Sequence, residues 1–244
     1  MAKRLRTLRL KNMNQISFQS VYQTITSRGE FKLGQRAVTP DGRAWQFVKN
    51  NSTIALGNIV IPNTVVDTDL WSSSTDSQGR IVYLTRAANS LTVGAYEDAI
   101  GMVNQGTGVG QTFKIRTNSA TTLTLYPETA LATALSVSDS DLNYIGMSNV
   151  IIAAITSKVQ MTQGAFQVAS VSGDYGWILT NGDGRAVAGE VLVIGESFVS
   201  GDDTAGQVLK GTTGKGPFDE QSLGYCIIAN DGADQGVLVR YFIR

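Results

Sequence analysis

Gln35-Arg36-Ala37-Val38-Thr39-Pro40-Asp41-Gly42-Arg43-Ala44-Trp45-Gln46-Phe47-Val48 decides the class of the fold. Proline presets the first φ of a turn, and the Asp-Gly pair after it supplies a position of positive φ, so residues 39–42 read as a β-turn. The runs on either side, 35–38 and 44–48, are then the two strands of a hairpin. The same grammar repeats downstream. Strand-like runs at 59–61, 80–84, 90–93 and 112–116 are separated by Gly, Asn, Asp and Ser. In Thr121-Thr122-Leu123-Thr124-Leu125-Tyr126 the alternation is clean, with Leu123 and Leu125 on the inner side.

Residues 128–135 carry leucines four apart among alanines and predict one or two helical turns, ended by the polar run 136–140. An apolar stretch at 150–155 opens a second set of strands at 166–168, 175–179, 191–194, 206–209 and 237–243. Asn181-Gly182-Asp183-Gly184 reads as a tight hairpin turn. Short runs punctuated this way predict an all-β protein of sandwich or barrel modules. The expected organisation is an extended basic arm over 1–30, a β domain over 31–147 and a second β domain over 148–244. The alternative is that both halves share one sheet system.

Charge is placed unevenly. The net charge is zero, yet ten of the 20 basic residues lie in the first 49 positions against only Glu30 and Asp41. The first 28 residues hold no acidic group. Lys3, Arg4, Arg6, Arg9, Lys11 and Arg28 make up their cationic set. Such asymmetry concerns partners rather than fold stability. Charged residues are 16% of the chain, well under the roughly 25% usual in soluble domains, so the surface is polar but weakly charged. Such a surface suits packing in arrays, where fewer charges must be desolvated.

There is no histidine, which removes the usual near-neutral acid–base group and the commonest metal ligand. Cys226 is the sole cysteine, so an intrachain disulfide is excluded, and its apolar neighbours predict a buried thiol. No cofactor, no metal and no catalytic residue is expected. The longest apolar stretch is far too short to span a bilayer, and the leucines at 5, 8 and 10 are interrupted by Arg and Thr, unlike a secretory signal. No membrane partner is expected.

Gly106-Thr107-Gly108-Val109-Gly110 has the wrong spacing for a dinucleotide fingerprint and precedes a strand, so it reads as a tight β connection. Gly211-Thr212-Thr213-Gly214-Lys215-Gly216-Pro217 lacks the Ser or Thr that follows a phosphate-loop lysine and reads as a solvated loop. Asp139, Asp141, Asp202 and Asp203 lack calcium-loop spacing and read as acidic loops, with a loose calcium site as the alternative. Trp45 and Trp177 sit in strand-like runs and read as core. Trp71 sits in a polar, serine-rich stretch and is the candidate for an exposed glycan-stacking platform. The arm lacks an aromatic residue before Phe18 and the body lacks a basic face, so nucleic acid is not the expected partner. An acidic protein surface is.

The stretch 34–49 resembles the opening hairpin of tailed-bacteriophage virion structural proteins, in which Gly-x-Arg-Ala leads to Asp-Gly-Arg and an aromatic-rich strand. Gly108-Val109-Gly110-Gln111-Thr112-Phe113-Lys114-Ile115, Asp174-Tyr175-Gly176-Trp177-Ile178-Leu179-Thr180 and Val187-Ala188-Gly189-Glu190-Val191-Leu192 are similar to further segments of that group. Leu223-Gly224-Tyr225-Cys226-Ile227-Ile228-Ala229 is similar to the closing segment of capsid decoration proteins, with Tyr225-Cys226 in place of a small residue. The resemblance implies a non-enzymatic virion component, a decoration or cement protein at the capsid surface. It would be made in the host cytoplasm and bind the major capsid protein as a homo-oligomer, dimer or trimer. The arm lies outside the resemblance, and its capsid-binding role is read from charge. The alternative is a host-recognition module that holds a glycan through Trp71 or the acidic loops.

Overall fold

The computed structural model describes residues 14–67, 69–88, 90–153, 162–201, 204–211 and 222–243. The described residues are mostly β, with one short helix among them. In chain order come β1 (Asn14–Gln15), the single turn α1 (Phe18–Val21), β2 (Arg36–Val38), β3 (Ala44–Asn50), β4 (Ile59–Asp67) and β5 (Trp71–Thr75). Then follow β6 (Ile81–Arg86), β7 (Ile100–Gln105), β8 (Thr112–Asn118), β9 (Thr122–Leu125) and β10 (Asp141–Ile152). The last set is β11 (Gly164–Phe166), β12 (Tyr175–Ala188), β13 (Ser197–Ser200), β14 (Val208–Lys210), β15 (Gly224–Ile228) and β16 (Gln235–Phe242).

Contacts divide the chain into two units, one of 1–61 with 150–244 and one of 62–149. The limits drawn from sequence, 31–147 and 148–244, differ from this, because β3 is bonded to β12, far along the chain, in antiparallel register from Tyr175↔Lys49 to Asn181↔Ala44. The middle of the chain is thus an insertion. Periodicity could not show this, because it reports which face a residue takes and not which strand lies beside it.

In the first unit β12 is the spine. Its first half pairs with β3 and β11, and its second half with β16, from Asn181↔Phe242 to Ala188↔Gln235. Neighbours then run β16, β15, β13 and β14, and the parallel pairing Ala188↔Val208 returns to β12, closing a small five-stranded barrel. Barrel closure leaves no open edge among these strands. Trp45, Phe47, Trp177, Phe198 and Tyr241 fill this core, each no more than 1% exposed.

The expected hairpin at 181–184 is absent. Gly182 does adopt φ +109°, but inside β12, just past a bulge between Leu179 and Asn181 where the strand changes partner from β3 to β16. A Cβ there would lie 2.6 Å from Cγ of Arg43, so glycine serves close approach as well as bend. Where β11 ends, the Gln167 side chain continues the pairing. It accepts from the Arg185 amide at 2.7 Å and donates to the Arg185 carbonyl at 2.9 Å.

The second unit is built on β5, β6, β9, β8 and β7, each antiparallel to the next, with β10 beside β7. Leu123 and Leu125 of β9 point inward as the alternation requires, and join Trp71, Leu84, Phe113, Ile115 and Tyr144 in one core. The expected helix at 128–135 is reduced to a 3-10 turn at Pro127–Thr129. Leu131 instead bridges to Ile81, and Leu131 and Leu135 are buried. The glycines 106, 108 and 110 turn with positive φ, and Gln111 fixes that loop. Its Oε1 accepts from the amides of Ala132 and Thr133, and its Nε2 donates to the carbonyls of Gly108 and Thr133.

Candidate docking surface

Residues 14–30, the described part of the expected arm, fold onto the first unit together with 31–33. β1 runs parallel to β2 through Asn14↔Ala37 and Gln15↔Val38. Ser17 caps α1 by accepting from the Ser20 amide at 3.2 Å. One turn of helix places Val21 fully inside and leaves Phe18 42% exposed. Ile25 and Tyr175 then exchange both backbone hydrogen bonds, at 2.9 and 2.8 Å. Phe31 stacks 5.2 Å from both Phe47 and Trp177. Ile16 and Val21 enter the core and Ile25 and Phe31 pack against it, so these apolar side chains are satisfied by the chain's own body. Arg28, assigned to capsid binding, is half-buried and donates its Nε to the Phe31 carbonyl at 3.1 Å. Lys3, Arg4, Arg6, Arg9 and Lys11 lie outside the described residues.

This root is held by Arg43, the residue after the hairpin turn. Its guanidinium carbon lies 5.6 Å from the Phe18 ring centre, 5.7 Å from Tyr22 and 5.5 Å from Trp45. Nη1 donates to the Tyr22 hydroxyl at 2.6 Å, and Nε pairs with Asp41 Oδ2 at 2.6 Å. Thr39 Oγ1 donates to Asp41 Oδ1 at 2.6 Å and accepts from Trp45 Nε1 at 3.2 Å. Burial alone would raise the Asp41 carboxyl, but the hydrogen bonds from Thr39 and Arg43 prevail and hold it below the ordinary value.

A cleft of about 910 Å³ runs beside the 39–42 turn, lined by Gln15, Arg36, Trp45, Asn181 and Ile243 among others. A second cleft on the other side of the turn shares Asp41, Gly42 and Asn181 and continues to Asp183, Leu238, Arg240 and Phe242. There Asp183 and Arg240 form a bidentate pair, Oδ1 to Nε at 2.5 Å and Oδ2 to Nη2 at 2.7 Å. The Arg240 hydrogen bonds lower the Asp183 carboxyl. Arg240 lies 6.0 Å from the Tyr225 ring, which packs 5.6 Å from Phe242. The result is one continuous face on which Phe18, Tyr22, Leu238 and Phe242, each 37–45% exposed, are interleaved with Arg43 and Arg240. Aromatic side chains and arginine are the groups enriched at protein contacts.

The other sequence candidates have different places. Trp71, expected on an exposed loop, begins β5 and is fully buried, edge-on to Tyr144 at 6.4 Å. Its ring face is not available to a sugar. The serines that suggested a loop belong to that strand, and the half-buried Ser72 and Ser73 hydrogen-bond to Thr85 and Leu135. Asp139 accepts from Thr107 Oγ1 at 3.0 Å, and the Thr107 hydrogen bonds lower its carboxyl. Asp202, Asp203 and Lys215 lie outside the described residues. Cys226 is buried, and burial followed by the nearby Glu196 charge pushes its thiol up. Among the described residues, no three His, Cys, Asp or Glu side chains gather to hold a metal ion. No described helix is long and apolar enough to cross a membrane. Sequence reasoning missed Tyr22, Asp183, Arg240 and Phe242. Only the arginine at the end of Asp41-Gly42-Arg43 carried a local signal.

No known family model matches the chain, and no curated protein matches it in sequence. Among solved structures, the N base of head fiber gp8.5 in bacteriophage phi29 aligns over 81% of this chain and 92% of that one, with 10% identity and a TM-score of 0.31. A superposition this loose fixes neither fold nor function.

Proposed function

We propose that this chain is a structural protein of a tailed-phage head that decorates the shell, binding the lattice of major capsid protein as a homo-oligomer at the capsid surface. One observation carries the reading. Phe18 and Tyr22, which follow the basic stretch in sequence, pack on Arg43 in an exposed arginine–aromatic face that continues to Arg240. The likeness of residues 34–49 and 174–180 to phage virion proteins supplies the setting. In this reading Lys3, Arg4, Arg6, Arg9 and Lys11 lie along capsid subunits while the face supplies desolvated contacts. Repetition on a lattice lets each contact be weak, because tethered contacts add by avidity. Arg28 contributes to the root rather than to the partner.

The test is occupancy of purified heads by the full chain, by a chain lacking residues 1–11 and by Phe242→Ser. Both variants should bind less. The loss on truncation should be largest at low salt, where charge attraction is unscreened. Unchanged occupancy of both would remove this side from the mechanism.

A further inference from the structure

The end of the barrel remote from the arm root carries a second unusual surface. The segment Val191-Leu192-Val193-Ile194, which sequence alone reads as a strand, is a loop with only Leu192 buried. Val191, Val193 and Ile194 are 50%, 49% and 72% exposed. The loop is rigidly stitched to the chain around Cys226 and Asn230. The Leu192 amide donates to Asn230 Oδ1 at 2.7 Å, Asn230 Nδ2 donates to the Glu190 carbonyl at 3.0 Å, and the Gly195 amide donates to the Cys226 carbonyl at 2.9 Å. Ile228, 56% exposed and two residues beyond Cys226, extends the patch toward Leu238, its partner across β15 and β16. Glu190, Glu196, Asp231 and Asp234 rim it, opposed locally by Lys210, which pairs with Glu196. Apolar surface held open by this many hydrogen bonds is built to meet a partner.

The beginning of the chain has the complementary chemistry. Arg4-Leu5-Arg6-Thr7-Leu8-Arg9-Leu10-Lys11 sets three leucines among cations, with no acidic residue. Strand directions set where its first described residue stands. β1 is parallel to β2, β2 antiparallel to β3, and β3 antiparallel to β12, so β1 and β12 point the same way. The register Asn14↔Ala37↔Trp45↔Leu179 puts the start of β1 level with Leu179. From there β12 runs nine residues, about 30 Å of strand, to Ala188 and the patch. Asn14, the first described residue, thus stands at the far end of this span from its own patch.

We infer that residues 4–11 of one copy dock on the Val191–Val193–Ile194–Ile228 patch of the next, a head-to-tail contact between copies of this chain. Such a contact is heterologous and closes into a ring or propagates in a line. It rests on the decoration reading only for its setting, since an arm lying on a shell still turns one side to its neighbour.

The test mixes two deficient chains in solution without capsids. One lacks residues 1–11 but keeps the patch. The other carries Ile194→Asp and Ile228→Asp but keeps the arm. Both substitutions are at exposed positions, and circular dichroism checks the fold. Each alone should be monomeric by analytical ultracentrifugation. Together they should form a one-to-one complex, weakening several-fold when salt rises from about 0.05 to about 0.5 M. Asp231→Lys in the first chain, which leaves the apolar groups in place, should weaken it likewise. A mixture that stays monomeric overturns the inference, whether the arm folds back on its own copy or serves the shell alone. Head occupancy is read separately. Its loss on truncation with no complex in the mixture would sink this contact and leave the decoration reading standing.

Discussion

Replacing Trp71 by alanine tests the placement that departs furthest from the local sequence signal. The side chain is fully buried among Tyr144, Arg86 and the second core. Emptying such a site removes transfer free energy and leaves a cavity, at a cost of about 3–5 kcal/mol. For a chain of this size each kcal/mol lowers the melting temperature by about 2–4 °C, so a drop of roughly 6–20 °C is expected. Trp71→Phe separates packing from polarity. Nε1 finds no hydrogen-bond partner among the described residues, so phenylalanine also removes an unpaired buried donor. Its cost should be about 1–2 kcal/mol, well below that of alanine. Thermal and urea unfolding followed by circular dichroism read both variants. A surface tryptophan would change stability by no more than about 0.5 kcal/mol. That outcome for Trp71→Ala would refute the burial and reopen this residue as a ligand platform.

Other perturbations follow from the same physical terms. Gln167→Ala leaves the Arg185 amide without its partner, while the Arg185 carbonyl keeps the Tyr241 hydroxyl, at about 1–3 kcal/mol. Hydrogen exchange at the Arg185 amide should quicken, and unchanged protection would show that another group pairs it. Gly106→Ala should destabilise the second unit, because φ is +78° and a Cβ would overlap the Asp139 carbonyl. A variant as stable as the parent would contradict the loop geometry. The Asp41 and Asp183 carboxyls are held below the ordinary carboxylate value by their hydrogen bonds from Thr39, Arg43 and Arg240. Their stabilisation is therefore present above the unfolded pKa and lost as pH falls through the still lower folded values. Urea midpoints should drop between pH 6 and pH 3, and Asp183→Asn should lose part of that dependence. A pH profile identical to the parent's would show that the Asp183–Arg240 pair is not formed in solution.

Much of the β architecture was legible because alternation and turn chemistry are local. Leu123 and Leu125 announced β9, and Thr39-Pro40-Asp41-Gly42 announced the β2–β3 hairpin. The misreadings share a cause. Asn181-Gly182-Asp183-Gly184 offers positive φ equally to a turn or to the interior of a bent strand, and the choice is made by Tyr241 and Arg43, distant in sequence. An apolar run such as 191–194 looks the same whether it faces a core or the solvent. Trp71 heads a strand whose serines satisfy neighbours rather than water: Ser72 Oγ donates to the Thr85 carbonyl, and Ser73 Oγ accepts from the Leu135 amide. The docking surface was the least legible part. Phe18, Arg43, Asp183, Arg240 and Phe242 come together only once β3, β12 and β16 are side by side.

The attachment of this chain to a shell is tested most directly by imaging purified heads from phage with and without its gene. The account predicts regular surface density in the first set, missing in the second and restored when the purified full chain is added. Identical heads in both sets, with no binding on addition, would contradict it.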